Sequence, residues 1–493
     1  MQPSNPNPPL PRRSHRAERL LLVLFLVSLP LLNPWIRGDG VGYYAFARAP
    51  LIQHDLDFAR DYQSANAGFR ELRLDENGEP RSLFRTKTGH LDNHFTVGPA
   101  MLWTPFLLLA HAGVLVARAL GSQVPADGFS APYRVAMAFA TSLYAFIGLL
   151  LSFRMAKIYV EERWALLATI AIWWGSSLPV YMYFNPSWSH AHSVFAVALF
   201  LWYWHKTRGV RTVKQWLLLG LCTALMLNVY YPNLMVLTVL LVEAVPMYLA
   251  PFQTPRPDSN GVVLSTSQLL SRHVLFFVVV TIGLLPTFLT RFVVYGGFLE
   301  TGYVPLSNWL WRSPVFFPVL FSANHGLVSW TPLLGLSIVG IFIFWKRVPE
   351  VGAAIAATLL AFYLFICCYP DWAGISSFGN RFFVSLTILF VIGLGAFLDR
   401  AARLFRSGKV ALAVVSAALA CFLVWNVELM YQWGEHLIPP RGPISFAEMI
   451  HNQIFVVPRQ ITSHLEAYLF RRKSMMEQIE KRDIEQQKNQ SAQ

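Results

Sequence analysis

Charge is what this chain has least of. Asp, Glu, Lys and Arg make up 14% of its 493 residues against 55% hydrophobic residues, so the charged shell of a soluble protein of this length is missing. The mean hydropathy of +0.43 agrees. Cysteine is scarce as well. Cys222, Cys367, Cys368 and Cys421 lie in or at the ends of apolar stretches, without the histidine spacing of a zinc site, and read as small packing residues. No small-residue cleavage site closes the first apolar run, which Asn33-Pro34-Trp35 follows instead; this predicts a retained anchor and not a cleaved signal peptide. Internal repeats of roughly 20–50 residues are missing too, as are the paired broken helices of inverted-repeat transporters.

What is present is a series of apolar runs of roughly 17–25 residues, the length needed to cross a bilayer core. They fall at 18–36, 97–118, 132–153, 163–183, 190–205, 214–231, 233–250, 273–295, 331–346, 351–369, 382–399 and 409–428. The expected fold is an all-α polytopic membrane protein in a lipid bilayer. The net charge of +13 sits between these runs, at Arg12-Arg13-Arg16-Arg19, Lys206-Arg208-Arg211-Lys214 and Arg400-Arg403-Arg406-Lys409. Basic loops stay cytoplasmic, so the charge reports topology and excludes a nucleic-acid groove.

Cytoplasmic loops are then expected near 154–163, 206–214, 251–272, 346–350 and 400–409, and external ones near 184–190, 231–233, 296–330 and 370–381. The basic N-terminus sends 18–36 outward and makes 37–131 external. Parity then requires that either 97–118 or 132–153 does not cross. The segment 97–118 contains Pro99, Pro105 and His111, and is expected to be irregular, lying along the outer face as a roof. About eleven crossings follow, with the C-terminus outside. Three regions result: a cytoplasmic tail 1–17, a transmembrane domain 18–430, and a polar tail 431–493 with an interfacial helix near 445–470 and a solvated charged helix near 471–488.

The densest chemistry follows the first apolar run, in Gly38-Asp39-Gly40-Val41-Gly42-Tyr43-Tyr44, Arg48, His54-Asp55-Leu56-Asp57, Asp61 and Asn93-His94. A carboxylate at the exit of a membrane helix is costly to desolvate and marks a functional candidate. Asp39 lies nearest the membrane plane between two glycines and suits a general base, although Asp-Gly also marks turns. Asp55 and Asp57 equally suit helix caps. In Asn185-Pro186-Ser187-Trp188-Ser189-His190-Ala191-His192, the histidines suit phosphate binding, a proton shuttle, or a metal shared with Asp39. Arg381, in Phe378-Gly379-Asn380-Arg381-Phe382, and Arg291 suit phosphate recognition or snorkelling to headgroups. His325, in Ser322-Ala323-Asn324-His325-Gly326, could line the same site.

The order of these pieces resembles the GT-C class of polyprenyl-phosphate-sugar-dependent glycosyltransferases. The likeness is greatest to bacterial relatives of protein O-mannosyltransferases and lipid A aminoarabinose transferases. It rests on Gly38-Asp39-Gly40 with Tyr43-Tyr44, Asn93-His94-Phe95 with Gly98-Pro99, Ser189-His190-Ala191, Gly220-Leu221, His325-Gly326-Leu327 and Gly379-Asn380-Arg381-Phe382. The resemblance spans roughly 18–400 and implies a GT-C-like bundle with a large first external loop. It also implies inverting transfer from a polyprenyl-phosphate-linked sugar donor to a lipid, glycan or protein acceptor outside a bacterial inner membrane. Asp39 and His190 would be catalytic; Tyr43, Tyr44, Asp55, Asp57, Asn93, His94, Arg291, His325, Asn380 and Arg381 would bind substrate. A divalent metal ion is the one cofactor the class suggests. Its usual second acidic residue is missing from the second external loop, which leaves the metal open. A lipid-linked sugar transporter or flippase, or a non-catalytic membrane scaffold, is the alternative.

Overall fold

The computed structural model describes residues 15–249, 265–439 and 442–491. The expected tail 1–17 and loop 251–272 therefore fall mostly outside the described residues. Among those described, the architecture is helical, with two isolated bridges (Leu74 to Pro80 and Arg85 to Leu91) and no strand.

Helix α1 (Arg16–Ser28) is followed by three short helices, α2 (Asp39–Arg48), α3 (Ala59–Gln63) and α4 (Ala67–Arg73). Next come α5 (Gly98–Ala119), α6 (Ala131–Ala156), α7 (Glu162–Trp174), α8 (His190–Lys206), α9 (Val213–Val229) and α10 (Thr238–Leu249). The chain continues through α11 (Thr266–Gly283), α12 (Leu285–Tyr295), the short α13 (Phe316–Phe321) and α14 (Leu327–Trp330), α15 (Pro332–Arg347), α16 (Pro349–Cys367) and α17 (Thr387–Ala402). It ends with α18 (Gly408–Gly434), α19 (Phe446–His451), α20 (Val457–Phe470) and α21 (Arg472–Ser491). Counting the 3₁₀ turns that lead into α10 and α17, seven of these are long and apolar enough to cross a membrane: α5, α6, α10, α11, α16, α17 and α18.

Helix α17 is the centre of the bundle. It is apolar on every side and almost wholly buried, as a helix without a solvent face must be. Helix α15 crosses it at glycine: a methyl group on Gly340 would stand 1.9 Å from the carbonyl oxygen of Gly393. Small residues at such crossings let backbones approach where the surrounding lipid offers no hydrophobic drive. Helices α5, α11 and α18 instead turn Leu109, Val116, Phe277, Ile282 and Val424 outward, a surface suited to acyl chains.

The polar contacts sort the loops onto two faces. On one, Glu18 binds Arg154 and Lys157, Tyr159 packs on Phe344 and bonds His205, Arg208 pairs with Glu350, Arg211 with Glu243, and Arg347 and Arg403 with Asp399. On the other, Asp39 meets Arg381, Ser189 meets Tyr43, Thr96 meets Val229, and Arg291 meets residues 93–95. Four of the five loops expected to be cytoplasmic thus share one face; the fifth, 251–272, lies mostly outside the described residues.

Two expectations change. The stretch 97–118 is a continuous helix and not an irregular segment, even with Pro105 inside it. A proline in a helix interior removes one backbone bond, and the remaining turns carry on. Its location follows from its partners. Trp103 donates to Thr141, Phe106 packs on Phe139 and Tyr144, and His111 bonds Tyr133, so α5 runs antiparallel along the half of α6 nearer Asp39. Thr141 is about 20 Å along the helix from Arg154. The second change is at the C-terminus. The final helix is not free in solvent. Tyr468 donates to the Leu31 carbonyl at 2.8 Å, Arg472 to those of Pro30 and Leu32, and α21 packs on α4. The carbonyls after α1 lack helical partners, and the tail supplies donors to them on the Asp39 face.

Candidate functional site

The candidate site is built from helix starts. Gly38, at φ +55°, turns the chain into α2 and places Asp39 in its first turn. The Gly38 N–H donates to Asn66 Oδ1 at 3.3 Å, and Trp188 donates through Nε1 to the Arg37 carbonyl at 3.1 Å. At Gly40 a methyl group would stand 1.9 Å from Ser187 Oγ, so the glycine lets the second loop close onto α2. From 342 positions further along the chain, Arg381 donates through Nη1 to Asp39 Oδ2 at 2.7 Å. Its guanidinium lies 4.7 Å from the centroid of the Trp188 ring, a cation–π contact that fixes its plane. Its Nε is buried and has no acceptor among the described residues. One edge of a cation is thus held by Asp39 while another donor remains available to an oxyanion.

Aromatic and imidazole groups enclose this pair. Tyr43 OH accepts from Ser189 Oγ at 2.9 Å, which leaves its own proton to donate. Burial first, and then the neighbouring Asp39 carboxylate, hold this phenol well above its usual range, so it stays neutral. The His190 ring packs 4.8 Å from Tyr181 and 5.3 Å from Tyr230. His325, at φ +59°, stacks 4.4 Å from Trp330. Burial and then the Arg381 charge push His325 down to about 4. Ser187 Oγ, His190 Nδ1, His325 Nδ1 and Asn380 Oδ1 are all buried without protein partners among the described residues. Buried polar atoms are costly unless paired, and these four offer hydrogen bonds to a bound polar group.

The other sequence candidates separate from this pocket. Tyr44 points away, donating to the Gly128 carbonyl at 2.6 Å, as adjacent residues on a helix must diverge. Asp55 and Asp57 are exposed turn-formers: Asp55 Oδ1 accepts from the Asp57 N–H at 3.0 Å, and Asp57 Oδ1 from the Ala59 N–H at 3.1 Å. These bonds are those of turn caps, the second of the two roles the sequence offered. Arg291 is already committed, donating to the Asn93, His94 and Phe95 carbonyls at 2.9, 2.8 and 2.7 Å and to the Tyr231 hydroxyl; it fastens the strand of chain beneath Tyr43 and is not a free anion clamp. Asn93 donates to the Gly42 carbonyl at 2.9 Å, and His94 packs on Phe95 and Tyr303 beside Asp92. Asp92 is pushed up by burial, but bonds from His94 and Tyr295 outweigh this and hold it below its usual range.

Sequence reasoning missed Tyr181, Tyr230 and Asn66, and the buried pairing of Arg48 with Asp61 at 2.6 Å. The tyrosines end apolar segments and pass for interfacial anchors. A divalent metal does not fit this donor set. No group of three His, Cys, Asp or Glu converges among the described residues, and the Asp39 carboxylate faces a guanidinium where a second ligand would stand. No protein-family model matches the chain, and no curated protein is significantly similar to it.

Proposed function

We propose that the protein is a membrane glycosyltransferase that moves a sugar from a polyprenyl-phosphate carrier to an acceptor at the Asp39 face. One observation carries this reading: a carboxylate and a guanidinium 342 positions apart in the chain, paired at 2.7 Å beside buried polar atoms without partners among the described residues. The opposite face bears the basic clusters, so the Asp39 face is extracytoplasmic by the positive-inside rule. The bundle then has about eleven crossings, with α5 staying on the outer side. The setting is a cell membrane of the bacterial inner-membrane kind.

In the reaction, the acceptor hydroxyl oxygen attacks the anomeric carbon while the bond from that carbon to the phosphate oxygen breaks. The electron pair leaves with the polyprenyl phosphate, and Arg381 stabilises that anion through its free Nε donor. Fixed cations at developing charge supply the larger part of such catalysis. The hydroxyl proton passes to Asp39, with His190 Nδ1 as the second acceptor in reach of the pocket. Tyr43, His325 and Asn380 contact the sugar or its phosphate.

The test is sugar transfer from a panel of undecaprenyl-phosphate sugars by the purified protein, with Asp39→Asn, Asp39→Ala and Arg381→Ala. Turnover by the wild type that all three variants lose supports the reading. Equal turnover in the Asp39 variants moves the base to His190. No turnover with any donor leaves a transporter or scaffold.

A further inference from the structure

We propose that Ser193, Asn233 and Ser385 form a positioning network that sets the geometry of the Asp39–Arg381 pocket, an inference that rests on the glycosyl-transfer reading of that pocket. Each of the three lies one turn inward from a residue at the pocket. Ser193 follows His190 by three positions, Asn233 follows Tyr230 by three, and Ser385 follows Arg381 by four. Their side chains meet. Ser193 Oγ lies 3.0 Å from Asn233 Oδ1, 2.8 Å from Asn233 Nδ2 and 2.8 Å from Ser385 Oγ. Asn233 Nδ2 also donates to the Met226 carbonyl at 3.1 Å. All three residues are fully buried.

The need for such a network follows from the backbone. Two of the three segments begin irregularly: Tyr230 is extended, at φ −162° and ψ 120°, before the 3₁₀ turn Tyr231–Leu237, and Asn380 precedes the 3₁₀ turn Arg381–Leu386. A 3₁₀ turn has poorer hydrogen-bond geometry than an α-helix, so these turns hold the Tyr230 and Arg381 side chains less firmly. The third, α8, begins beside the pocket at His190. Cross-linking the three starts one turn down fixes their spacing. Polar side chains at this depth are expensive and are retained for function. None of these three carries charge or reaches the pocket, so they act through Arg381, His190 and Tyr230 and not on the reactants.

The test uses the full-length protein in lipid nanodiscs. It measures sugar transfer from undecaprenyl-phosphate sugars, binding of undecaprenyl phosphate alone, and the thermal midpoint. Asn233→Ala and the double variant Ser193→Ala/Ser385→Ala are expected to lower kcat by about a hundred-fold with donor KM nearly unchanged, since a misplacement of about 1 Å has that effect. Ser385→Thr, which keeps the hydroxyl, is expected to retain most of the activity. Full kcat in the network variants, with active wild type, would overturn the proposal. So would losses of kcat that only track a fall in the thermal midpoint. A wild type that binds undecaprenyl phosphate but transfers no sugar would remove the glycosyl-transfer reading itself, and the positioning role with it.

Discussion

Asp39 and Arg381 are separated by 342 positions in the chain and share a 2.7 Å ion pair beneath the Trp188 ring. Both are largely covered, so removing one strands the other charge in a poorly solvated place, whereas removing both does not. The double variant Asp39→Ala/Arg381→Ala should therefore lose less stability than the sum of the two single variants, by about 1–3 kcal/mol. Equilibrium unfolding of the four proteins measures this, and simple additivity would mean that the pair does not form in solution.

Gly40 offers a steric test of the same pocket. A methyl group there would stand 1.9 Å from Ser187 Oγ and 2.5 Å from Ser187 Cβ. Gly40→Ala should abolish transfer and lower the thermal midpoint. Ser187→Ala keeps the Cβ and should not relieve the clash, whereas Ser187→Gly should restore much of what was lost. Restoration by alanine as well would show that the loop approaches α2 less closely.

Asp55 and Asp57 should be dispensable for transfer. Both are exposed and accept from nearby backbone N–H groups, so Asp55→Ala and Asp57→Ala each remove a turn-stabilising bond of about 0.5–1 kcal/mol. Transfer rates should stay within about two-fold of wild type, as surface changes away from a site do. A large loss of turnover at full expression would return these carboxylates to the site.

His325 gives the fold a pH dependence. Its imidazole is held neutral, with the folded value pushed down from 6.5 to about 4 by burial and by Arg381. The unfolded chain therefore binds more protons between those values, and stability falls as pH drops from 6.5 toward 4. The contribution present above pH 6.5 is about 3 kcal/mol. His325→Phe, which can keep the stack on Trp330, should flatten the fall in thermal midpoint across that window. An unchanged slope would assign the acid sensitivity to other groups.

The helical class, the grouping of the described basic loops on one face and the two partners Asp39 and Arg381 were legible in the sequence. That they touch was not, because nothing local links residues so far apart. What Arg291 bonds was not legible for a related reason: its partners are backbone carbonyls at 93–95, which leave no signature in residue types. The regularity of α5 was hidden by Pro105, and lipid-facing and core-facing positions both look apolar, so periodicity could not show which side packed on α6. Ser193, Asn233 and Ser385 did carry a signal, three polar residues in or beside apolar runs, but their meeting point depends on how three separate segments align.

The clasp between the chain's two ends has a consequence for its birth. The carbonyl of Leu31 waits 437 residues for Tyr468, and Asp39 waits 342 for Arg381. At ribosomal speeds of about 5–20 residues per second, the first of these delays lasts roughly 20–90 s. Throughout that interval the turn after α1 is unclasped, and until Arg381 is made the Asp39 carboxylate is without its counter-ion. Competence arrives late, and a ribosome stalled before Arg381 leaves a chain that can insert but cannot complete its pocket.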